Sequence, residues 1–171
     1  MEIFSYHLVE TSPVTTAKAF SSPPAADHVA GLRHAEYMAA MTLGAPVFSP
    51  ARLQLRKLAV FAAWQSSDAL DAFLGSTGLG RTLSTGWHVR LHLLRRWGNF
   101  SQLDDIQPLA GDSDPNEPVV AVTLARLKLR QLARFIRWGK PVEELVRDHP
   151  GTTLALAAIR PLRTFSTFTI W

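Results

Sequence analysis

Six histidines could hold a metal ion or a haem iron, provided that a free ring nitrogen points into an enclosed pocket. They are His7, His28, His34, His88, His92 and His149. His34 is the main candidate, because it lies in a predicted helix with Tyr37 and Met38 about one turn further on. The alternative is a partly exposed helix histidine without a ligand. The sequence therefore gives His34 as a candidate cofactor ligand and Tyr37 as a candidate substrate contact.

The remaining motifs do not indicate a metal centre. His88 and His92 share one face of a predicted strand, where a rise of about 3.3 Å per residue places them roughly 13 Å apart. That distance is too long for one metal ion, so both are expected on a solvated face. The chain also lacks the sequence signatures of zinc proteases, serine hydrolases, phosphate-binding loops and dinucleotide sites.

Two segments ending in tryptophan repeat each other at a shift of 107 positions. The matched pairs are Phe61 with Phe168, Trp64 with Trp171, Arg56 with Arg163, Leu55 with Leu162, and Gly44 with Gly151. Common residue types account for some of these matches, yet a single register over about twenty residues indicates an internal repeat.

Arg56 and Trp64 are the candidate substrate contacts within this repeat. An arginine at a strand start can bind an anionic group, although many such arginines simply reach solvent. A tryptophan at a strand end can form a wall against a ligand, although core packing is the more common role.

The first half of the chain predicts a strand, a helix, two strands, a helix and a strand. Residues 3–9 alternate as a strand, and residues 11–24, rich in Thr, Ser and Pro, predict a loop. The apolar residues Val29, Leu32, Ala35 and Ala39 follow helical spacing after Asp27 as a cap. Residues 47–53, flanked or interrupted by Pro46 and Pro50, predict an edge strand or a loop, and residues 56–64 predict a strong strand. A helix capped by Ser66 or Ser67 and a strand at 87–93 follow.

The second half predicts a shorter version of the same order. Residues 99–118 are rich in acids and proline and predict a linker, and residues 119–127 predict a strand. Residues 128–140 predict a helix that Pro141 interrupts, with Leu129, Leu132, Phe135 and Ile136 on its buried face. Residues 142–146 predict a further turn or two of helix. Strands at 152–159 and 163–171 follow.

This order predicts an α+β fold with two tandem ferredoxin-like units and antiparallel sheets. We place the first unit at residues 1–98, the linker at 99–118 and the second unit at 119–171. The second unit lacks its last helix and strand. Stacked sheets would give a barrel-like pair with a pocket between sheet and helices.

Composition sets the class of protein. The chain has 171 residues, of which 47% are hydrophobic and 19% charged, so it is globular. It has no cysteine, no bilayer-length apolar run and no secretory signal, which predicts a cytoplasmic protein. A net charge of +4 is too small to argue for nucleic acid, which is not an expected partner.

The segment from Arg126 to Lys140 carries six positive charges and no acid. Together with its apolar stripe, this pattern is typical of a helix that lies on a membrane surface. The alternative is a core-packed helix whose basic face is solvated. The sequence therefore predicts a peripheral membrane contact as one of two readings.

Several short motifs resemble the spheroidene monooxygenase family of carotenoid biosynthesis and its bacterial relatives. The motifs lie at residues 56–74, 86–91, 96–98, 118–123 and 167–171. The family has two ferredoxin-like halves of the dimeric α/β-barrel type. The resemblance implies an oxygen-dependent oxidation of an acyclic carotenoid, with haem as cofactor.

The sequence departs from that family at its end. In haem-binding relatives of this barrel the iron ligand is a histidine on the last helix of the second half, and the sequence ends at Trp171, before such a helix. Two hypotheses follow: a monooxygenase acting on a hydrophobic substrate, and a non-catalytic ligand-binding or structural barrel. Both predict a homo-oligomer, because the last strand otherwise leaves an open sheet edge.

Overall fold

The computed structural model describes residues 1–46, 49–109 and 116–171, without the side chains of residues 129, 132, 133, 135, 136 and 140. The fold is α+β, as the sequence predicts. The strands are β1 (Ile3–Glu10), β2 (Leu32–Met41), β3 (Gln54–Trp64), β4 (Trp87–Leu91), β5 (Val120–Arg126), β6 (Leu154–Arg160) and β7 (Thr164–Ile170). The α-helices are α1 (Pro13–Ser21), α2 (Ser67–Ser76), α3 (Gly78–Ser84) and α4 (Leu132–Asp148).

The chain divides into two compact units. Unit 1 comprises Met1–Tyr37 and Arg56–Pro115, and unit 2 comprises Met38–Leu55 and Asn116–Trp171. In unit 1 the strands lie in the order β4-β1-β3-β2, and β1 pairs antiparallel with both β3 and β4. This order, with helices after the first and third strands, is that of a ferredoxin-like unit.

The core of unit 1 lies between one face of this sheet and its helices. Alternate residues of β3 point to the helices, since successive side chains in a strand point to opposite faces. The cluster contains Leu58, Val60, Ala62 and Trp64 from β3, Ala19 from α1, Leu70 and Phe73 from α2, and Leu83 from α3. All of these residues are 5% exposed or less.

Unit 2 repeats the pattern in part. The last residues of β2 pair with β6, and the strands continue in the order β2-β6-β7-β5 with antiparallel pairing. The helix α4 connects β5 to β6. Within the described residues, unit 2 has no counterpart of the second helix and fourth strand of unit 1.

The internal repeat is confirmed in three dimensions. The segment ending at Trp64 lies in β3 and the segment ending at Trp171 lies in and just after β7, and each strand is the third of its unit. Phe61 and Phe168 are both buried, at 5% and 0% exposure. The two tryptophans differ, because Trp64 is 2% exposed and Trp171 is 43% exposed.

Two elements of unit 1 were assigned wrongly from the sequence. The predicted loop at residues 11–24 contains α1, which begins with Ser12 as N-cap and Pro13 in its first turn. The predicted helix after Asp27 is instead β2. The last six residues of β2 are all buried, so this end of the strand shows no alternating pattern that could reveal it in the sequence.

Two further predictions need correction in unit 2. Residues 50–52 form a short 3-10 helix where an edge strand or a loop was expected, and residues 47 and 48 of that prediction lie outside the described residues. The helix α4 runs without interruption through Pro141 to Asp148, so the turns predicted at residues 142–146 belong to the same helix. Residues 129, 132, 135 and 136 were expected on its buried face, and their side chains lie outside the part of the chain that the structure describes. Among the described residues, no helix is long and apolar enough to cross a bilayer.

Candidate functional site

A cleft of about 650 Å³ lies in unit 2 between α4 and the strands β5 and β7. Its apolar lining consists of Leu43, Trp138, Val142, Val146 and Phe165, and its polar lining of Thr123, Gln131, Arg134, Glu143 and Thr167. Large, mainly apolar concavities with a few polar groups are the usual form of a small-molecule site. This cleft is therefore the candidate functional site.

The repeat explains why this side of the sheet carries the cleft. Phe165 and Thr167 are shifted by 107 positions from Leu58 and Val60, which point to the helices in unit 1. In unit 1 the helices α1, α2 and α3 cover that face. Among the described residues of unit 2, only the helix α4 packs on the equivalent face of the sheet, so part of that face stays accessible.

A buried ion pair holds one wall of the cleft in place. Glu143 on α4 accepts hydrogen bonds from Arg52 Nη1 at 2.6 Å and from Arg52 Nη2 at 2.8 Å. The Gly44 N–H donates to the same carboxylate at 3.0 Å. Two donors from a planar guanidinium give a defined geometry, and the backbone donor occupies a remaining lone pair. The segment that contains Leu43 is thereby fixed against α4.

Gly44 has a backbone conformation that this contact requires. Its φ of +76° is unfavourable for residues with a side chain, and an added Cβ would lie 2.8 Å from Arg147 Nη1 and 3.0 Å from Glu144 Cγ. Arg147 Nη1 also donates to the Leu43 carbonyl at 3.3 Å. The absence of a side chain at residue 44 therefore permits the close approach of this loop to α4.

The side of α4 at the cleft carries exposed apolar side chains, and two of them, Trp138 and Val142, line its mouth. Trp138, Val142 and Leu145 follow a spacing of four and three residues, so they lie on one side of α4, and they are 65%, 56% and 70% exposed. The Arg137 guanidinium lies 5.7 Å from the centre of a Trp138 ring. Together with Arg134, these residues give the mouth an apolar and cationic character.

The predicted cofactor ligand His34 lies elsewhere. It is on strand β2, in unit 1, and not on a helix. Its Nε2 lies 3.0 Å from Glu36 Oε1, and its ring contacts Phe100 edge-on with centroids 5.4 Å apart. His34 does not line the cleft.

The predicted substrate contacts Tyr37, Arg56 and Trp64 also belong to unit 1. Tyr37 and Trp64 come together in the core cluster of that unit, where each is 2% exposed, and burial raises the pKa of Tyr37. The Trp64 indole N–H donates to Ser5 Oγ at 2.9 Å. Arg56 is exposed. None of the three lines the cleft.

A second notable histidine is His7 on β1. It is 1% exposed, and its ring stacks on that of His88 with centroids 5.3 Å apart. Neither ring nitrogen has a hydrogen-bond partner among the described residues. Burial lowers the pKa of His7 to about 4, and the facing charges of His88 and Arg90 act in the same direction. The imidazole is therefore neutral at physiological pH.

No group of three metal-binding side chains occurs in the described part of the chain.

The residues that shape the cleft were missed from the sequence. Glu143 is a charged residue on α4, yet it is only 5% exposed. A helical spacing of Gly139, Glu143 and Val146 on one face was the available signal. Arg52 gave no signal, because its partner lies 91 residues away in sequence.

The basic segment from Arg126 to Lys140 does not form a single helix. Arg126 ends β5, residues 129–131 form a 3-10 helix, and α4 begins at Leu132. The positive charges are therefore divided among a strand end, a turn and the first half of α4.

No model of a protein family matches the chain, and no curated protein matches its sequence. Two solved structures do align with it. One is a protein provisionally designated a monooxygenase from Fusobacterium nucleatum subsp. nucleatum ATCC 25586, at 10% identity and a TM-score of 0.34, over 99% of this chain and 75% of that one. The other is a protein from Lactobacillus acidophilus NCFM that is also provisionally designated a monooxygenase, at 6% identity and a TM-score of 0.31, over 99% of this chain and 76% of that one. Scores this low carry no argument, so the resemblance to the spheroidene monooxygenase family stays a prediction.

Proposed function

We propose that this protein binds a hydrophobic small molecule in the cleft beside α4. The observation that carries the proposal is the cleft itself, which has about 650 Å³ of space and a mainly apolar lining. A volume of that size accommodates a small ligand or one end of a longer chain. The ion pair between Arg52 and Glu143 supports a preformed site, because it fixes one wall before a ligand arrives.

The polar lining supports a ligand with a polar or anionic end. Thr123 and Thr167 supply hydroxyl groups from the strands, and Gln131 supplies an amide at the start of α4. Arg134 lies at the mouth and is exposed, so it can pair with an anionic group without first being desolvated. An amphiphilic molecule with an apolar body therefore fits better than a wholly apolar one.

The residues of the cleft do not fit a haem. Its described lining contains no histidine, cysteine, methionine or tyrosine, which are the usual axial ligands of haem iron. His34 has one ring nitrogen beside Glu36 and is not part of the lining. No step of the proposed function therefore passes through haem, and haem binding at His34 remains a prediction from the sequence.

Oxidation of the bound molecule is the second candidate function. The sequence resemblance implies a monooxygenase that acts on a carotenoid-type substrate. An apolar cleft supports binding of part of such a polyene, and non-catalytic binding needs the same cleft. Mass spectrometry of the ligand after incubation with oxygen and a reductant separates the two, since only an oxygenase adds an oxygen atom to it. The haem that the resemblance implies is tested separately by a Soret band that is lost in His34→Ala.

A peripheral membrane contact remains part of the proposal. The support is the exposed side of α4, where Trp138, Val142 and Leu145 lie near Arg134 and Arg137. Exposed apolar side chains with cationic neighbours are typical of surfaces that bind anionic lipid. Such a contact would deliver a membrane-dissolved molecule to the mouth of the cleft.

The binding proposal is tested with an anionic, apolar fluorescent probe, 1-anilinonaphthalene-8-sulfonate. We expect Val142→Asp to weaken binding about tenfold, because it places a like charge and a polar group in the cleft. The matched control is Val14→Asp, since Val14 is also an exposed helix valine, at 77% exposure, but lies on α1. Equal affinities of the two variants would contradict the proposal.

A further inference from the structure

We propose that β5 forms an antiparallel pair with β5 of a second copy of this chain, about a twofold axis at Thr123. The strand order of unit 2 ends at β5, and the described residues place no strand beyond it. In unit 1 the equivalent first strand, β1, has β4 on its outer side in an antiparallel pair. The second copy would supply to β5 the neighbour that β4 supplies to β1.

The pairing with β7 decides which backbone groups of β5 face outward. Val119 and Trp171 exchange two hydrogen bonds, at 3.3 and 3.0 Å, and the Leu127 N–H donates to the Arg163 carbonyl at 2.8 Å. In an antiparallel ladder, hydrogen-bonded pairs alternate with non-bonded pairs. The odd-numbered residues of β5 therefore bond to β7, and the even-numbered ones direct their N–H and C=O groups away from it.

These outward groups belong to a strand with few features that block pairing. Three residues with outward backbone groups, Val120, Val122 and Leu124, are apolar. The only charged residue of the strand is Arg126 at its end, and the strand contains no proline. Natural edge strands are normally protected by inward charges, prolines or bulges. Pro118 lies before the strand and limits the edge at that end, because it has no N–H to donate.

Self-pairing has one register that uses the whole strand. Thr123 is the central residue of Val120–Arg126. With the axis there, Val122 pairs with Leu124 of the second copy, and these are residues whose backbone groups point outward. A shift of the axis to Val122 would bring Arg126 opposite Pro118, which cannot donate a hydrogen bond. The register centred on Thr123 therefore forms the most hydrogen bonds.

Charge and side-chain placement support the same register. Glu117 precedes the strand and Lys128 follows it, and both are exposed. Antiparallel pairing about Thr123 places each Glu117 within about one residue of Lys128 in the other copy, a favourable arrangement of opposite charges. The Thr123 side chain also lines the cleft, so the two clefts would become neighbours across the axis.

A cysteine cross-link tests the axis directly, because the natural sequence contains no cysteine. Residues that face themselves in a non-hydrogen-bonded antiparallel pair have Cβ atoms about 4.5–5.5 Å apart, close enough for a disulfide after a small adjustment. We expect Thr123→Cys to form a covalent dimer, of twice the 18.9 kDa chain mass, under mild oxidation.

The matched controls are Ala121→Cys and Thr167→Cys. In the proposed register Ala121 faces Ala125 of the second copy, so two cysteines at position 121 lie roughly 13 Å apart. Thr167 lies on β7 and lines the same cleft, but it is away from the axis. Cross-linking of either control as fast as Thr123→Cys would overturn the register.

The mass in solution tests the pairing without a cross-link. We expect the wild-type chain to sediment as a dimer and Val122→Pro as a monomer, since proline removes an outward N–H and leaves the bonds to β7 in place. Val122→Thr keeps that N–H and should remain dimeric. A monomeric wild-type chain at 100 μM, or a dimeric Val122→Pro, would overturn the proposal. If Val122→Pro does not fold, as judged by circular dichroism, the cross-linking pattern decides. The proposal does not depend on ligand binding, so Val142→Asp should still dimerise.

Discussion

Arg52 and Glu143 form a buried bidentate ion pair that joins the loop after β2 to the middle of α4. Both donor–acceptor distances are short, at 2.6 and 2.8 Å, and the two side chains are only 10% and 6% exposed. A charge that is buried to this extent is stable only while its partner is present. The pair therefore makes the position of α4 dependent on a residue 91 positions away.

Removal of one partner should destabilise unit 2 strongly. We expect Arg52→Met to lower the free energy of unfolding by about 3–5 kcal/mol, because it leaves the Glu143 carboxylate buried with only the Gly44 N–H as a donor. The measurement is urea unfolding followed by circular dichroism. The double variant Arg52→Met/Glu143→Leu is the control and should recover most of the loss, since apolar residues can replace a buried pair at little cost. A single variant as stable as wild type would show that the pair contributes nothing.

Gly44 should not tolerate a side chain. We expect Gly44→Ala to cost about 1–3 kcal/mol, because φ is positive and the added Cβ would approach Arg147 and Glu144. Gly75, near the end of α2, is the matched control, since nothing lies within 4 Å of an added Cβ there. Gly75→Ala should be neutral or stabilising by up to about 1 kcal/mol. Thermal denaturation of both variants measures the difference, and equal effects would argue against the loop geometry.

His7 should make the protein less stable as the pH falls. Its pKa is about 4 in the folded protein and 6.5 in the unfolded chain, so the unfolded chain binds more protons between these values. Stability from this residue is complete above pH 6.5 and is lost as the pH falls towards 4. We expect wild type to lose about 3 kcal/mol more than His7→Leu between pH 7 and pH 4.

Urea unfolding of both proteins at several pH values tests the His7 prediction. The carboxylates contribute equally to both curves, so the difference isolates His7. The facing groups His88 and Arg90 add to the effect of burial, and His88→Gln should reduce the difference slightly. Parallel curves for wild type and His7→Leu would mean that His7 is not buried in the neutral form.

The two tryptophans of the repeat should differ in importance. Trp64→Ala should cost about 3–5 kcal/mol, because it opens a cavity against Phe73 and leaves Ser5 without its indole donor. Trp171→Ala should cost about 1 kcal/mol or less, since Trp171 is 43% exposed and contacts the ring of His149. Equal losses in chemical denaturation would contradict the environments seen here.

Most strands and the helices after residues 66 and 128 could be read from the sequence, but two elements of unit 1 were assigned to the wrong class. Ser12 followed by Pro13 was a helix-start signal within a segment that otherwise looked like a loop. In β2, Ala35, Ala39 and Ala40 favour a helix locally, but pairing of the strand on both sides overrides that preference. Tertiary contacts outweigh intrinsic propensity wherever a segment is buried on both faces.

The sequence by itself determined the α+β class and the two similar segments that lie 107 positions apart. These features follow from local patterns and from comparison of the chain with itself. The tertiary structure alone decided that His34, Tyr37, Arg56 and Trp64 lie in unit 1, and that the cleft lies in unit 2 beside Glu143. The physical reason is that a cleft and a buried ion pair are made by residues far apart in sequence, such as Arg52 and Glu143. Their contact depends on strand order and helix position, which no local pattern encodes.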